Sequence, residues 1–189
     1  MKKILQKEAS VLRKKSEIVQ VQTIKLPRIQ KMIAEMKEAL ASQEDGVAIA
    51  APQIGYLLRM FIVSKRVEEI VHKKKGIIVN PNPFNDIVFI NPVIKKVSKE
   101  KKIVEEGCLS VRFLYGKVSR ANKATIEAYD ENGKKFIRGG SGLMAQIFQH
   151  ELDHLDGVLF IDKAKYVEEI LPEKMVVANK QFKKNVNRS

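Results

Sequence analysis

Two histidines in the second half of the chain have the spacing of a metal-binding pair. The stretch FQHELDHLDG, residues 148–157, holds two of the three histidines, His150 and His154, four positions apart. On a helix, residues four apart lie one above the other, so both imidazoles could face one ion. Glu151 is rotated from His150 by roughly 100°, which lets it reach a water beside the ion without binding the ion itself. This HExxH pattern is typical of zinc hydrolases in which the glutamate is the general base. The alternative is an exposed amphipathic helix whose histidines are incidental.

The apolar neighbours of this pair favour the metal interpretation. Leu143 and Ile147 lie on the same helical face as His150, so the histidines should point inward. A catalytic metal site needs a third protein ligand and one open position. Cys108, within EEGCLSV, is one candidate, although an isolated cysteine could equally be a small core residue. The other candidates are the downstream carboxylates Glu168, Glu169 and Glu173.

The composition is that of a globular protein with one core. With 189 residues and 44% hydrophobic content, we expect a single domain spanning residues 1–189. The chain has no apolar run long enough for a membrane span and no signal-peptide pattern, which predicts a cytoplasmic protein without a membrane partner. The single cysteine excludes an internal disulfide.

The net charge of +13 raises the question of a polyanionic partner. Most of the basic residues are lysines scattered along the chain, and no aromatic-plus-basic nucleic-acid motif accompanies them. We therefore predict a solvated basic surface and no DNA partner. The C-terminal stretch NKQFKKNVNRS is one of the densest basic tracts.

The elements that must position these residues follow from periodicity. Residues 27–43 have apolar residues at three- and four-residue spacings after Pro27, which predicts an amphipathic helix. RMFIVS and DIVFINPVI predict strands, with an exposed lysine-rich loop at residues 65–86 between them. DENG predicts a hairpin turn, and a helix from Ser141 to about Leu155 should end at the DG of residues 156–157. A third helix is predicted from about Lys163 to Asn179, interrupted at Pro172.

Three motifs together resemble those of one enzyme family. GVAIAAPQIG (residues 46–55), EGCLS (106–110) and QHELDHLDG (149–157) are similar, in order and interval, to the signature motifs of peptide deformylases. The resemblance covers roughly residues 4–165 and leaves about 166–189 as a variable segment. It implies an α+β fold with antiparallel sheets around a central metal-binding HExxH helix, an N-terminal helix and a C-terminal helical segment.

The resemblance also implies the metal centre. Cys108, His150 and His154 would be the ligands, and the fourth position would hold water. The expected metal is Fe(II), with Zn, Ni or Co as possible substitutes. A soft thiolate ligand suits late divalent metals. The alternative function is an HExxH zinc metallopeptidase in which a downstream glutamate replaces the cysteine as third ligand.

The implied reaction is removal of the N-formyl group from the initiator formyl-methionine of nascent polypeptides, with release of formate. Glu151 would accept a proton from the attacking water and pass it to the departing amine. The resemblance assigns the stabilisation of the developing oxyanion to the backbone N–H of Leu109 and the side-chain amide of Gln53.

The implied substrate site lies along the first motif and the metal-bearing helix. Gly46 would let the backbone pack close to a peptide bound as an added strand. The methionine pocket would be lined by Leu143 and Ile147, with Val47 opposite, whereas Ile49 is better interpreted as a core residue. Ala48 stands where the family usually has glycine.

Other positions carry weaker implications. Arg112 stands where the family commonly has proline, so the rim after Cys108 could contact peptides differently. Arg120 and Asp153 match positions that could pair to brace the metal-bearing helix. The basic segment from Lys163 onwards could dock on the ribosome, from which the nascent substrate emerges.

Overall fold

The computed structural model describes residues 1–74 and 85–171. In this part of the chain, helices and strands are joined by short turns and 3₁₀ segments. The helices are α1 (Pro27–Ala41), α2 (Arg66–Lys74) and α3 (Leu143–Leu155). The strands are β1 (Ala48–Ala50), β2 (Met60–Val63), β3 (Ile87–Val97), β4 (Lys101–Gly107), β5 (Leu114–Ala121), β6 (Lys123–Tyr129), β7 (Lys135–Ser141) and β8 (Val167–Glu169). None of these helices has both the length and the apolar character needed to cross a membrane.

The strands form two antiparallel sheets. The larger has the order β1-β2-β3-β6-β7, and the smaller has the order β4-β5-β8. All pairings within them are antiparallel, so the predicted α+β fold with antiparallel sheets is confirmed. Helix α3 contacts β1, β6 and β7 of the larger sheet and β5 of the smaller one. It therefore packs against both sheets.

Helix α1 confirms the predicted N-terminal helix. Pro27 is at its first turn, where a missing N–H costs no intrahelical hydrogen bond. Its apolar residues recur every three or four positions and are all buried in one core cluster with β2. These residues are Ile29, Met32, Ile33, Met36, Ala39 and Leu40.

The predicted DENG turn joins β6 to β7. The Asp130 carboxylate accepts hydrogen bonds from the N–H groups of Asn132 and Lys134, at 2.9 and 2.8 Å. Gly133 has a φ of 76°, a conformation that glycine adopts without steric cost. Ala124, Ile126 and Ala128 of β6 are buried, as their alternation with polar residues predicted.

The position of helix α3 is fixed by the packing of its buried face and by the turn at its C-terminal end. Phe148 packs edge-on against Phe89, whose ring stacks on Phe61 with a centroid separation of 4.5 Å. The chain turns at Gly157, where φ is 77° and a Cβ atom would lie 2.8 Å from the backbone of Arg13. Only glycine satisfies both conditions, which confirms the predicted stop of this helix.

The prediction of an exposed loop at residues 65–86 is wrong in its first part. Residues Arg66–Lys74 form α2, and Val67 is fully buried in the same core cluster as Phe148. The Arg138 guanidinium of β7 also pairs with Glu68 of α2. Residues 75–84 lie outside the described part.

The predicted C-terminal helix is also wrong over the described residues. Residues Val167–Glu169 form β8 and pair with Leu114–Gly116 of β5. The N–H of Ile170 donates to the carbonyl of Phe113 at 2.8 Å. The rest of the predicted helix, from Pro172 to Asn179, lies outside the described residues.

Candidate metal centre and substrate cleft

Helix α3 brings His150 and His154 together, with their ring centroids 4.9 Å apart. Cys108 approaches from the loop after β4, and its Sγ lies 3.2 Å from Nε2 of His154. One ligand atom from each of the three residues lies within 4.8 Å of the others. Glu168 and Glu169, the described alternatives for the third ligand, are exposed on β8 and are not members of this group. Glu173 lies outside the described residues.

The loop that carries Cys108 depends on a close backbone approach. A Cβ atom at Gly107 would lie 2.7 Å from the Tyr115 ring, so a larger residue would displace the start of the loop. Two donors also point at the Cys108 sulfur: the N–H of Ser110 at 3.4 Å and the Gln53 side-chain amide at 3.6 Å. Hydrogen bonds of this kind favour the thiolate, which is the form that binds metal.

The electrostatics of the cluster favour a charged thiolate. Burial alone would raise the pKa of Cys108, but the adjacent His154 and His150 outweigh it and lower the pKa to about 5. Burial opposes a charge on His150, yet its contacts with Cys108 and Glu106 raise its pKa well above the usual value. A thiolate beside two imidazoles is the donor set of a late divalent metal, so the residues present fit such an ion.

Glu106 and Arg120 orient the His150 ring through its Nδ1 atom. Nδ1 of His150 lies 3.0 Å from Glu106 Oε2, which leaves Nε2 of the ring to face the cluster. Arg120 donates to both oxygens of Glu106, at 2.7 and 2.9 Å, and also to Asp153 at 2.6 Å. Burial would raise the pKa of Glu106, but Arg120 and His150 hold it at about 2. The expected pairing of Arg120 with Asp153 is therefore present.

Glu151 occupies a different environment one residue along the helix. Its side chain is buried, and its Oε2 has no hydrogen-bond partner among the described residues. Burial raises the pKa of Glu151 to about 7, although the two histidines favour its charged form. A buried carboxylate with a free oxygen and a pKa near neutrality is suited to exchanging protons with a water or substrate at that oxygen.

Gln53 is held in one orientation beside Cys108. Its Oε1 accepts from the N–H of Ala50 at 2.7 Å, so its amide nitrogen must face the cluster, where it donates to Ser110 Oγ at 3.1 Å. Leu109 follows Cys108, and its carbonyl accepts from the Gln6 side chain at 3.1 Å. Both candidate oxyanion donors thus lie beside the cysteine.

A cleft of about 400 Å³ opens beside the cluster. All five predicted substrate-contacting residues line it: Gly46, Val47, Ala48, Leu143 and Ile147. Gln53, Cys108, Leu109, His150 and Glu151 line it as well. Ile49 is fully buried in the core, as predicted.

Gly46 also packs closely against the protein itself, apart from the peptide contact predicted from the sequence. A Cβ atom there would lie 3.0 Å from Leu40 and 3.1 Å from Gln43, so the tight contact is with the end of α1.

Gln6, Glu106 and Ser110 contact predicted site residues but were not themselves predicted from the sequence. Glu106 stands two positions before Cys108. An acidic residue so close to a candidate metal ligand is a feature from which its role could have been predicted. Gln6 and Ser110 have no comparable signal, because their roles depend on contacts between segments distant in the chain.

Comparisons with known proteins point to one family. A family model described as polypeptide deformylase matches residues 1–169. Peptide deformylase 2 of Clostridium acetobutylicum is 39% identical over 162 residues, which cover 86% of this chain and 94% of that protein. The crystal structure of a peptide deformylase from Legionella pneumophila has a TM-score of 0.72 and 35% identity, and the match covers 100% of this chain and 99% of that one. A Met-Ala-Ser-bound structure of the class I type b peptide deformylase from Acinetobacter baumannii has a TM-score of 0.72 and 28% identity, covering 86% and 99%.

Proposed function

Because the chain belongs to the polypeptide deformylase family, we propose that Cys108, His150 and His154 hold its metal and that Glu151 is its general base. The chain is an enzyme that uses a metal to remove the N-formyl group of nascent formyl-methionine polypeptides. The convergence of three ligand atoms beside a buried carboxylate with a free oxygen supports these residue roles. We place its work in the cytoplasm, where nascent chains are made.

Fe(II) is the proposed native metal, and Zn, Ni or Co are possible substitutes. The metal, when bound, would act as a Lewis acid on the formyl carbonyl and would lower the pKa of a water. The mixed thiolate and imidazole donors support a late divalent metal. Helix α3 is then the central helix of the fold, since it carries two ligands and the base while packing on both sheets.

Glu151 moves the protons of the reaction. It accepts one from the attacking water and returns it to the amine nitrogen as the bond to the formyl carbon breaks. Its raised pKa of about 7 supports this role, because a base with a pKa near the working pH can both take and give a proton. The free Oε2 is the atom that makes the exchange.

Gln53 and Leu109 stabilise the oxyanion that develops on the formyl oxygen. The orientation of the Gln53 amide, fixed by the N–H of Ala50, supports a donor whose nitrogen already faces the cluster. The contact of the Leu109 carbonyl with Gln6 restrains the loop on the C-terminal side of the other donor. Such donors are effective because they are oriented before the charge appears.

The methionine side chain occupies the apolar part of the cleft. Leu143 and Ile147 form one wall and Val47 forms the other. The peptide Met-Ala-Ser is bound in the structure of the Acinetobacter baumannii relative, which supports a peptide in the equivalent cleft of this chain. Gly46 and Ala48 supply backbone groups along its path.

The ribosome is a proposed partner, because the substrate emerges from it. The basic composition of the C-terminal stretch supports docking on ribosomal RNA, and its residues lie outside the described part. Equal co-sedimentation of full-length protein and a form ending at Leu171, at low and moderate salt, would count against this partner.

Formate release from formyl-Met-Ala-Ser by protein purified anaerobically tests the activity, and elemental analysis of the same sample identifies the metal.

Cys108→Ala should lose both metal and activity, whereas Glu168→Gln should retain both. If Cys108→Ala instead kept metal and activity while Glu168→Gln lost both, the zinc metallopeptidase arrangement would be supported. Glu151→Gln should keep the metal and lower kcat by about 10²–10⁴-fold, because only proton transfer is removed.

A further inference from the structure

An ion pair joins two segments that line the substrate cleft. Arg112, in the loop after Cys108, donates to both oxygens of Asp45, at 2.6 and 3.2 Å. It also donates to Oε1 of Gln43 at 2.6 Å. Asp45 and Arg112 both line the cleft and come from different segments, since Asp45 precedes the first motif and Arg112 follows the second. The pair therefore joins two segments that line the same cleft as Cys108, His150 and Glu151.

Each end of this bridge is anchored independently of the pair. On one wall, the Arg66 guanidinium donates to the carbonyls of Gln43, at 2.6 Å, and Glu44, at 3.2 Å. On the other wall, the N–H of Arg112 donates to Oε1 of Gln6 at 3.3 Å. Loss of the Arg112–Asp45 contact should therefore leave both backbone segments in place. Only the two side chains should change their positions.

The rim beside Arg112 is held in an unusual conformation. Phe113 has a φ of 67°, which is uncommon for a bulky residue and stores strain in the backbone. Phe113 is 38% exposed, lines the cleft and directly follows Arg112. Strained residues of this kind cluster at sites that contact ligands.

The two charged side chains remain accessible to a ligand. The Asp45 side chain is 59% exposed and that of Arg112 is 29% exposed. A guanidinium has five N–H donors and a carboxylate has about four acceptor sites, so the contacts described above leave capacity on both groups. The Arg112 hydrogen bond also lowers the pKa of Asp45, which is therefore charged at neutral pH.

We propose that Arg112 and Asp45 are specificity-determining residues that respond to the charge of the substrate side chains following formyl-methionine. The inference rests on the proposed function and goes beyond it. Arg112 attracts acidic side chains and Asp45 attracts basic ones. While the two residues are paired, each one neutralises the charge of the other. The enzyme should then discriminate weakly between acidic and basic peptides, whereas removal of either charge should reveal the preference of its partner.

The test compares kcat/KM for formyl-Met-Ala-Glu and formyl-Met-Ala-Lys, and for formyl-Met-Glu-Ala and formyl-Met-Lys-Ala, in the metal-loaded enzyme. Asp45→Asn should raise the acidic-to-basic ratio by about two- to fivefold for at least one peptide pair, the size expected of a solvent-exposed ion pair. Arg112→Gln should lower the same ratio by a similar factor. Both changes should shrink when salt is raised from 0.05 to 0.5 M, because the interaction is screened.

Arg13→Gln is the matched control, since Arg13 forms a comparable exposed ion pair with Asp162 outside the cleft lining. It should leave the ratio unchanged. Thermal unfolding and kcat/KM for formyl-Met-Ala-Ser establish that each variant is folded and active.

Opposite shifts in the two cleft variants support the inference. Ratios that stay fixed, or that move in the same direction in both variants, overturn it while the proposed function stands. Absence of formate release by the unmodified enzyme on every peptide overturns the proposed function, and the inference with it.

Discussion

Replacing Glu106 by glutamine should destabilise the protein and weaken its metal site together. The Glu106 carboxylate is almost fully buried and contacts Arg120 and Nδ1 of His150. Removing one partner of a buried ion pair typically costs 3–5 kcal/mol, because the remaining charge loses its partner. Glutamine keeps the shape and one acceptor, and Arg120 keeps its contact with Asp153, so we expect the lower end of that range, about 3 kcal/mol.

The assay is urea unfolding of the metal-free protein, followed by circular dichroism, so that stability is separated from metal binding. A loss of about 3 kcal/mol corresponds to a fall in Tm of roughly 6–12 °C in a chain of this size. Metal affinity, measured by competition with a chelator, should fall by about 10- to 100-fold, as is typical when a partner of a metal-binding histidine is removed.

The pH dependence gives this prediction a second readout. Folding lowers the pKa of Glu106 from 4.5 to about 2, so its stabilising contribution is complete above about pH 4.5. That contribution is lost as the pH falls towards 2. Since the variant has no carboxyl at this position, the stability difference between the two proteins should narrow over that range.

Two controls decide the interpretation. Glu131→Gln removes an exposed carboxylate that pairs with Lys37, and it should cost about 1 kcal/mol or less. The double variant Glu106→Gln/Arg120→Met should cost less than the sum of the single changes, because no unpaired buried charge remains. Asp153 would keep its contact with Lys163 at 2.5 Å. An additive double variant, or a Glu106→Gln protein as stable as the parent, would refute the reasoning.

Three further substitutions test how the site is supported. Gln6→Ala should lower kcat by about three- to tenfold with little change in KM, since two hydrogen bonds to the loop of the proposed oxyanion donor are lost. A change confined to KM would contradict this. Phe148→Ala should cost about 3–5 kcal/mol in urea unfolding, because it opens a cavity in a ring cluster beneath the metal-bearing helix. Gly157→Ala should also destabilise the protein by more than 1 kcal/mol, given its φ of 77° and the close backbone of Arg13; an unchanged Tm would show that the turn can move.

The parts of the site that depend on local geometry could be predicted from the sequence. The relation of His150 to His154 follows from helical periodicity, and the buried face of α1 follows in the same way. The inclusion of Cys108 did not follow from spacing, because its own sequence left it as either a ligand or a core residue. It came from the resemblance of three motifs, and the geometry agrees with it.

The pairing of Glu106 with Arg120 could not be predicted from helical periodicity. The two residues lie on the paired strands β4 and β5, where the register places Glu106 opposite Gly116 and Arg120 opposite Lys102, so they meet only because the long Arg120 side chain reaches along the ladder. That register, together with the packing of α3, is a property of the assembled sheets. No local pattern in either strand reports it.

The two incorrect predictions have physical causes. Val67, Ile70 and Val71 have helical spacing, but the lysines that follow them favoured a loop interpretation. Residues 167–169 have a sequence that is compatible with a helix, yet they pair with the free edge of β5. Tertiary pairing here overrides local propensity.

The proposed metal ligands reach across the boundary between the smaller sheet and the larger one, which α3 also spans. Cys108 extends from the smaller sheet, and the histidines lie on a helix seated against the larger one. An ion held by all three is thus a cross-link across that boundary, closing a loop of more than forty residues. In refolding experiments, metal uptake should consequently lag behind the recovery of β-structure, and chelation should speed amide exchange in β4 and β5 before it affects the larger sheet.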